Sequence, residues 1–385
     1  MSHIHVCLVS EQTIPNILGI YHFMPDKVVF CTTEKMENQK RTDSIINTLK
    51  LYGLDYSNSN RHERVLVDQD CLDNCEEKLS EVANRYSSDD IVVNLTCGTK
   101  IMVLGAYNIF KGLAKRMIYT PIPRNEFITV FPKDDSCKSP IGYNLKLSVK
   151  AYVTAYGVKV KNESKLNQLK ANASSNKDLC KWMVQNYKAI EDMLYEFYKI
   201  LGNHRNDKEF KLKMDYSFKR AEEREFIKRL GMLPKNNKIE KTISKDMIRF
   251  LTGDWLSDYC YNEISDLAID DCVAGIELIS PEGVDNEFDV MFTKDNALYI
   301  VECKSLSSKK EKYQDFLYKI SALQQDFGLR VKGFMISTTR DILEQNGDIK
   351  PHIIKRAKQC TTELIHPDNI ADLRNFIKNH VKGLG

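Results

Sequence analysis

Asn286–Ser305 reads NEFDVMFTKDNALYIVECKS, and the reading of the C-terminal half turns on it. Two apolar-rich runs flank Lys294-Asp295-Asn296, and Asp and Asn tolerate the left-handed backbone angles of a tight turn. The stretch predicts a β-hairpin with strands over 287–293 and 297–304. Side chains alternate faces along a strand, so Glu287 and Asp289 are expected on one face, with Phe288 and Val290 on the other. On the partner strand Glu302 and Lys304 share a face, while Ile300, Val301 and Cys303 fill the surrounding core. Three carboxylates and a lysine then converge beside an apolar wall. Mg²⁺ and Mn²⁺ favour oxygen-rich sites of this kind, with water and substrate phosphate completing the shell. A lysine beside the ion can orient an attacking water or neutralise charge developing on phosphorus. The competing reading is the wet face of an ordinary amphipathic hairpin.

E-x-K alone is common in proteins. Here Glu302 and Lys304 interrupt an apolar run, Ala297–Val301, and an acid pair lies on the preceding strand. These residues resemble the PD-(D/E)xK nuclease motif, with Asp289 as its first acid and Glu302-Cys303-Lys304 as its E-x-K. Phe288 stands in place of the motif's leading Pro. The resemblance implies that Asp289, Glu302 and the Cys303 backbone carbonyl hold Mg²⁺ or Mn²⁺. Lys304 is then expected to orient the hydrolytic water, and Glu287 to support the shell. Periodicity and turn residues predict a helix over 243–264, a strand over 272–280, the hairpin, a helix over 310–326 and a strand over 331–337. That order matches the PD-(D/E)xK core, with helices over 350–360 and from 368 on its outside. Similar nucleases carry a W-L-E-E-Y-like phrase on the first helix, where this chain has Trp255-Leu256-Ser257-Asp258-Tyr259. Asp258 is therefore a further candidate metal ligand, or else a surface aspartate. Lys319 lies where such nucleases place supporting polar residues.

The first 155 residues alternate strand and helix. Strands are predicted over 3–10, 27–33, 64–67, 90–95, 117–120 and 126–131, and helices over 13–23, 40–52, 71–86 and 100–112. Strands separated by helices argue a parallel sheet covered on both faces. Ligands bind past the carboxyl ends of such strands, where two loops stand out. One is Ser10-Glu11-Gln12 and the other is Asn94-Leu95-Thr96-Cys97-Gly98-Thr99-Lys100. Thr96 and Thr99 offer hydroxyls, Gly98 allows close approach, and Lys100 sits on the first helical turn. Free N–H groups at the helix start suit a phosphate. A Thr N-cap with a turn glycine explains the same local sequence. Neither GxGxxG nor GxxxxGK[ST] is present, so a dinucleotide cofactor or NTP hydrolysis has no support.

The two loops look like the ligand-binding loops of CARF domains, the cyclic-oligoadenylate sensors of type III CRISPR systems. Leu147–Gly157 (LSVKAYVTAYG) is similar to the close of that domain in ancillary nucleases that join a CARF domain to a PD-(D/E)xK domain. The resemblance implies a Rossmann-like α/β sensor and dimerisation domain over 1–157, a helical linker region over 158–240 and a restriction-endonuclease-like α/β domain over 241–385. It also implies cyclic tetra-adenylate as activator, bound by Ser10–Gln12, Asn94 and Thr96–Lys100 across the two-fold axis of a homodimer. The family usually has Gly where this chain has Cys97, and a side chain there is expected to crowd a phosphate.

Composition sets the outer limits. The chain has 385 residues, enough for two cores, and its 42% hydrophobic and 28% charged residues are those of a globular protein. The start lacks a signal-peptide layout and no apolar run approaches spanning length, so a cytoplasmic protein without membrane contact is expected. The 11 cysteines are scattered without paired CxxC spacing, and no His pair is close-set, so zinc and disulfides are not expected. Net charge is only +3, so any nucleic-acid surface must be local. Between Arg205 and Arg249, 14 Lys/Arg face 8 Asp/Glu, a basic excess that suits a phosphate backbone or a solvated helix with internal ion pairs. Three functions stay open. They are a metal-dependent endonuclease of DNA or RNA switched on by its ligand, a ligand-sensing regulator that binds nucleic acid without cutting, and an unregulated junction- or restriction-type endonuclease.

Overall fold

β1 (His3–Leu8) runs through the middle of the N-terminal sheet, and its residues alternate between two cores. Ile4, Val6 and Leu8 enter one, while Cys7 enters the other. The computed structural model describes residues 1–122, 124–133, 139–234, 236–305 and 327–384. β1 pairs in parallel with β2 (Lys27–Thr32) and with β4 (Asp90–Asn94). With β3 (His62–Leu66), β5 (Arg116–Tyr119), β6 (Glu126–Phe131) and β7 (Ile141–Gly142), the sheet order is β3-β2-β1-β4-β5-β6-β7. The first five are parallel, and β6 and β7 add antiparallel edges. Helices α1 (Ile14–Phe23), α2 (Glu34–Asn38) and α3 (Arg41–Lys50) belong to one face, while α4 (Leu72–Arg85) and α5 (Lys100–Phe110) cover the other. This is the parallel α/β sheet that the strand–helix alternation predicts.

α6 (Val149–Ala155) closes this part and is buried almost all round. An apolar helix without a wet face must be covered on two sides. One core holds α1, α3 and α6 together with Val273, Phe288, Met291, Leu298, Ile300 and Met335 of the C-terminal sheet. The two sheets therefore share an interior, with α6 between them.

The C-terminal sheet has the order β15-β14-β13-β12-β11-β8. Its strands are β8 (Lys159–Val160), β11 (Asp271–Ile279), β12 (Asp285–Lys294), β13 (Ala297–Lys304), β14 (Val331–Ser337) and β15 (Thr362–Leu364). The expected hairpin is β12–β13, and its turn residues Asp295 and Asn296 are left-handed, at φ 49° and 58°. β13, β14 and β15 are parallel. β15 was not expected, nor was a break in the 243–264 helix. It divides into α11 (Lys245–Arg249), a π turn over Phe250–Asp254 and α12 (Trp255–Ser265). The predicted helix over 310–326, and Lys319 with it, lies outside the described residues.

The middle of the chain is not a linker. β8 is an edge strand of the C-terminal sheet. α7 (Leu166–Ser175), α8 (Lys177–Gln185) and α9 (Tyr187–Leu201) share a core with α12 and with Val290, Tyr299 and Val301. The region is not wholly helical either, because β9 (Glu209–Asp215) and β10 (Lys238–Ser244) form an antiparallel ribbon around α10 (Ala221–Arg229). Phe210, Leu212 and Met214 face inward from β9, and Lys211 and Lys213 stand between them on the exposed side. Much of the local basic excess is thus the wet face of a ribbon, with Lys213 opposite Glu240.

Strand alternation fails between Phe288 and Val290. Val290 and Phe292 pack into the core beneath α12, yet Phe288 packs into the opposite core with Met291. On β11 the same exchange occurs between Ala274 and Ile276. Both strands roll over together at Gly275 and Asp289. Gly275 has φ 59°, which a residue without Cβ adopts freely.

Candidate functional site: two carboxylates where strands part

The β12–β13 ladder ends at Val290 opposite Val301, so Cys303 N–H has no backbone partner on that side. Asp289 Oδ2 accepts from it at 2.7 Å. The acid is thereby fixed at the point where the strands part. Glu302 is 9% exposed, and Lys304 Nζ lies 3.3 Å from its Oε1. Ser337 Oγ and Thr338 N–H, at the end of β14, donate to Lys304 O at 3.1 and 3.0 Å and hold the end of β13. Burial, and then the charge of Glu302, push the Asp289 carboxyl up to about 7, against the pull of Cys303 N–H and Lys304. Asp289, Glu302 and Lys304 are thus brought together.

Glu287 is exposed, opposite Glu277 on β11, and the alternation that would set it beside Asp289 is broken at Asp289 itself. Asp258 is not a surface aspartate. Its Oδ2 accepts from Asn176 Nδ2 at 2.7 Å, and burial, with the charge of Asp254, raises it to about 6. Asp254 is the acid that the sequence reading passed over. It lies close enough to add to the rise at Asp289, and Arg205 Nη2 pairs with it at 2.7 Å. Arg205 Nη1 also donates to Thr252 O at 3.1 Å, and Ser305 Oγ donates to Gly253 O at 3.1 Å, so the π turn is tied to the end of β13. The signal was the Gly253-Asp254 break ahead of Trp255. Asp254 lies one helical turn ahead of Ser257, where the W-L-E-E-Y-like phrase would put the acid.

Among the described residues no three acidic, histidine or cysteine side chains gather around one point. The carboxylates present are still of the hard-cation donor type, and burial, then the charge of Glu302, raises Asp289. Mg²⁺ commonly rests on one or two carboxylates, with water and substrate phosphate as the other ligands. Asp289 and Glu302 fit that pattern.

The two N-terminal loops meet at the carboxyl ends of β1 and β4. From β1 the chain passes to β2 on one side, while β4 lies on the other, so this is the switch point of the sheet. Asn94 is fully buried and structural. It donates to Pro15 O at 3.2 Å and to Asn16 Oδ1 at 3.1 Å, and its Oδ1 accepts from Thr96 Oγ1 at 2.5 Å and Thr96 N at 3.0 Å. Thr99 caps α5, accepting from Met102 N at 3.3 Å, and donates to Gln69 O at 2.8 Å. Cys97 is 3% exposed and its thiol donates to Gln12 O at 3.1 Å, with burial pushing its pKa up to about 12. The side chain therefore turns into the core. Ser10 and Gln12 are half-buried, Glu11 is exposed and paired with Lys35 at 2.8 Å, and Lys100 is exposed at the helix start. Gly98 (φ 85°) packs against Leu8. What the loops offer a ligand is therefore Ser10, Glu11, the backbone around Gly98 and Lys100. No helix among the described residues is long and apolar enough to cross a membrane.

Residues 4–152 match the family model of the Card1 CARF domain, and residues 244–383 match that of the Card1-like endonuclease domain. No curated protein matches the chain. Two solved structures share its fold along nearly the whole length. Protein VC1899 from Vibrio cholerae is 16% identical with a TM-score of 0.79, covering 100% of this chain and 99% of its own. Can2 from Sulfobacillus thermosulfidooxidans, solved with cyclic tetra-adenylate, is 19% identical with a TM-score of 0.76, covering 98% and 99%. The chain thus matches a Card1 CARF domain followed by a Card1-like endonuclease domain, the order of a CARF–nuclease fusion.

Proposed function

We propose that the protein is a metal-dependent endonuclease of DNA or RNA, activated by a cyclic oligoadenylate. The observation that carries this reading is the Asp289 carboxylate capping Cys303 N–H at the parting strands, beside Glu302 and Lys304. Asp289, Glu302 and the Cys303 carbonyl would hold Mg²⁺ or Mn²⁺, with Asp254, Asp258 and Glu287 as outlying acids. A bound ion would supply Lewis-acid stabilisation of charge on the scissile phosphate. Lys304 orients the attacking water and offsets charge on the phosphoryl oxygens, while Glu302 keeps its ammonium in place. The activator is cyclic tetra-adenylate, lying over the β1 and β4 loops across the two-fold axis of a homodimer. Can2, similar along its whole length, was solved with that ligand. Lys100 and the first N–H groups of α5 would meet its phosphates.

The test is cleavage of supercoiled DNA, single-stranded DNA and RNA with Mn²⁺, with and without cyclic tetra-adenylate. Cleavage of at least one substrate is expected with activator, and Glu302→Gln is expected to reduce it by about 10²–10³-fold. Wild-type rates in Glu302→Gln would overturn the catalytic assignment. No cutting by the unaltered chain under any condition would indicate a regulator, and equal cutting without activator an unregulated enzyme.

A further inference from the structure

Beside the parting strands lies a cavity of about 440 Å³, lined among others by Tyr187, Lys188, Arg220, Trp255, Thr338 and Arg340. Two of its walls belong to the catalytic neighbourhood. Thr338 donates from its N–H to Lys304 O at 3.0 Å, and its hydroxyl donates to Ser305 O. Trp255 directly follows Asp254, whose charge reaches Asp289. A polymer lying across Asp289 and Glu302 would therefore have this cavity beside it.

The lining has both halves of a nucleotide's chemistry. Tyr187 stacks on Trp255, with ring centroids 5.8 Å apart and planes 29° apart, and its hydroxyl donates to Thr338 Oγ1 at 3.0 Å. Trp255 itself is fully buried, so Tyr187, half-buried, is the ring of the pair left to meet a base. Three cations stand at the rim. Arg340 Nη2 and Lys188 Nζ share Asp368 Oδ1 at 2.8 and 3.1 Å, and Arg220 Nη1 donates to Lys188 O at 2.6 Å. Glu191 and Glu222 also line the space, which argues for one placed phosphate rather than a uniformly basic groove.

We propose that this cavity is a nucleotide subsite for the substrate strand. An unstacked base enters against Tyr187, and the adjoining phosphate rests on Arg340 and Arg220. The inference rests on the nuclease reading above and adds where the strand is gripped. A single-stranded segment is the form that can offer an unstacked base.

The chain has only two tryptophans, so Trp182→Phe leaves Trp255 as the sole indole and a reporter of the cavity. The full chain carrying Trp182→Phe and Glu302→Gln is titrated with dT10 and rU10, following Trp255 emission and, with a fluorescein-labelled oligonucleotide, anisotropy. Saturable change in Trp255 emission in step with anisotropy is expected for at least one oligonucleotide. Tyr187→Leu and Arg340→Ala are each expected to weaken that binding about tenfold. Tyr187→Phe, which keeps the ring, retains most of it and guards against misfolding as the cause. In the cutting enzyme Tyr187→Leu raises KM with little change in kcat. Binding by anisotropy without any change at Trp255, or an unaltered KM in Tyr187→Leu, overturns the subsite. Those outcomes leave the catalytic assignment standing, because that is tested by cleavage and its loss in Glu302→Gln.

Discussion

Lys304 lies 3.3 Å from Glu302, on a strand end held by Ser337 and Thr338, so its ammonium is aimed without help from a ligand. Lys304→Ala is expected to lower kcat by about 10²–10³-fold while leaving the thermal midpoint and activator affinity close to those of the unaltered chain. Single-turnover cleavage and calorimetric titration check the two halves. A second residue sets the acid limit of the fold. His5 is fully buried on β1, neither ring nitrogen has a hydrogen-bond partner, and burial holds its pKa down at about 3. The native state keeps His5 neutral, whereas the unfolded chain takes up a proton near pH 6.5. The stability that neutrality contributes is complete above about pH 6.5 and is lost as pH falls through the window toward 3. Linkage puts that loss at about 5 kcal/mol over the whole window and about 3 kcal/mol by pH 4. Denaturant midpoints measured from pH 7 to pH 4 should fall more steeply in the native sequence than in His5→Phe, whose ring suits the contact with Phe23 at 5.6 Å. Parallel curves would show that another group governs the acid limit.

Among the elements, the roll-over of β11 and β12 decides where Asp289 points. Gly275 takes φ 59°, and a Cβ there would come within 3.3 Å of Leu169 Cδ1. Gly275→Ala is expected to cost about 1–2 kcal/mol, read as a lower denaturant midpoint, and to reduce kcat because Asp289 turns with the strand pair. Unchanged kcat in a destabilised variant would separate the roll-over from the site. This feature also marks where sequence reading stops. The hairpin and its Asp295-Asn296 turn were legible, as were the strand ends carrying Glu302 and Lys304, because turn chemistry and apolar runs are local signals. Placing Glu287 beside Asp289 relied on strict alternation, which a left-handed glycine on the neighbouring strand overrides. The β9–β10 ribbon was missed for a related reason. Its Lys211 and Lys213 alternate with Phe210, Leu212 and Met214, a period of two that the local basic excess masks. Asp254 was hidden by the π turn, since a helix drawn straight through Gly253 points that acid elsewhere.

Across the whole molecule, one side chain ties the sensor loops to the nuclease sheet. Gln12 follows β1, and its carbonyl oxygen accepts from the Cys97 thiol of the second loop at 3.1 Å. Its side-chain Oε1 accepts from Leu329 N–H at 3.1 Å, two residues ahead of β14. Tyr156 Oη also reaches Gln12 Oε1 at 3.5 Å, and Tyr152 of α6 donates to Phe327 O at 3.1 Å. β14 pairs with β13 as far as Ser337 opposite Lys304, so a shift of either loop has a short mechanical route to the catalytic strand. Gly328 lies inside this contact at φ 78°, where an added Cβ would overlap the Tyr156 hydroxyl and stand 2.7 Å from Gln12 Oε1. Gly328→Ala must therefore push Gln12 away from Leu329 without touching Ser10, Glu11 or Lys100. Coupling between distinct sites is typically about 1–3 kcal/mol, so losing one principal contact should reduce activator-stimulated cleavage about tenfold. Calorimetric affinity for cyclic tetra-adenylate should stay within a few-fold, and cleavage without activator should be unaltered. A Gly328→Ala chain that reaches full wild-type stimulation at saturating activator would show that the signal crosses by the shared core around α6 instead.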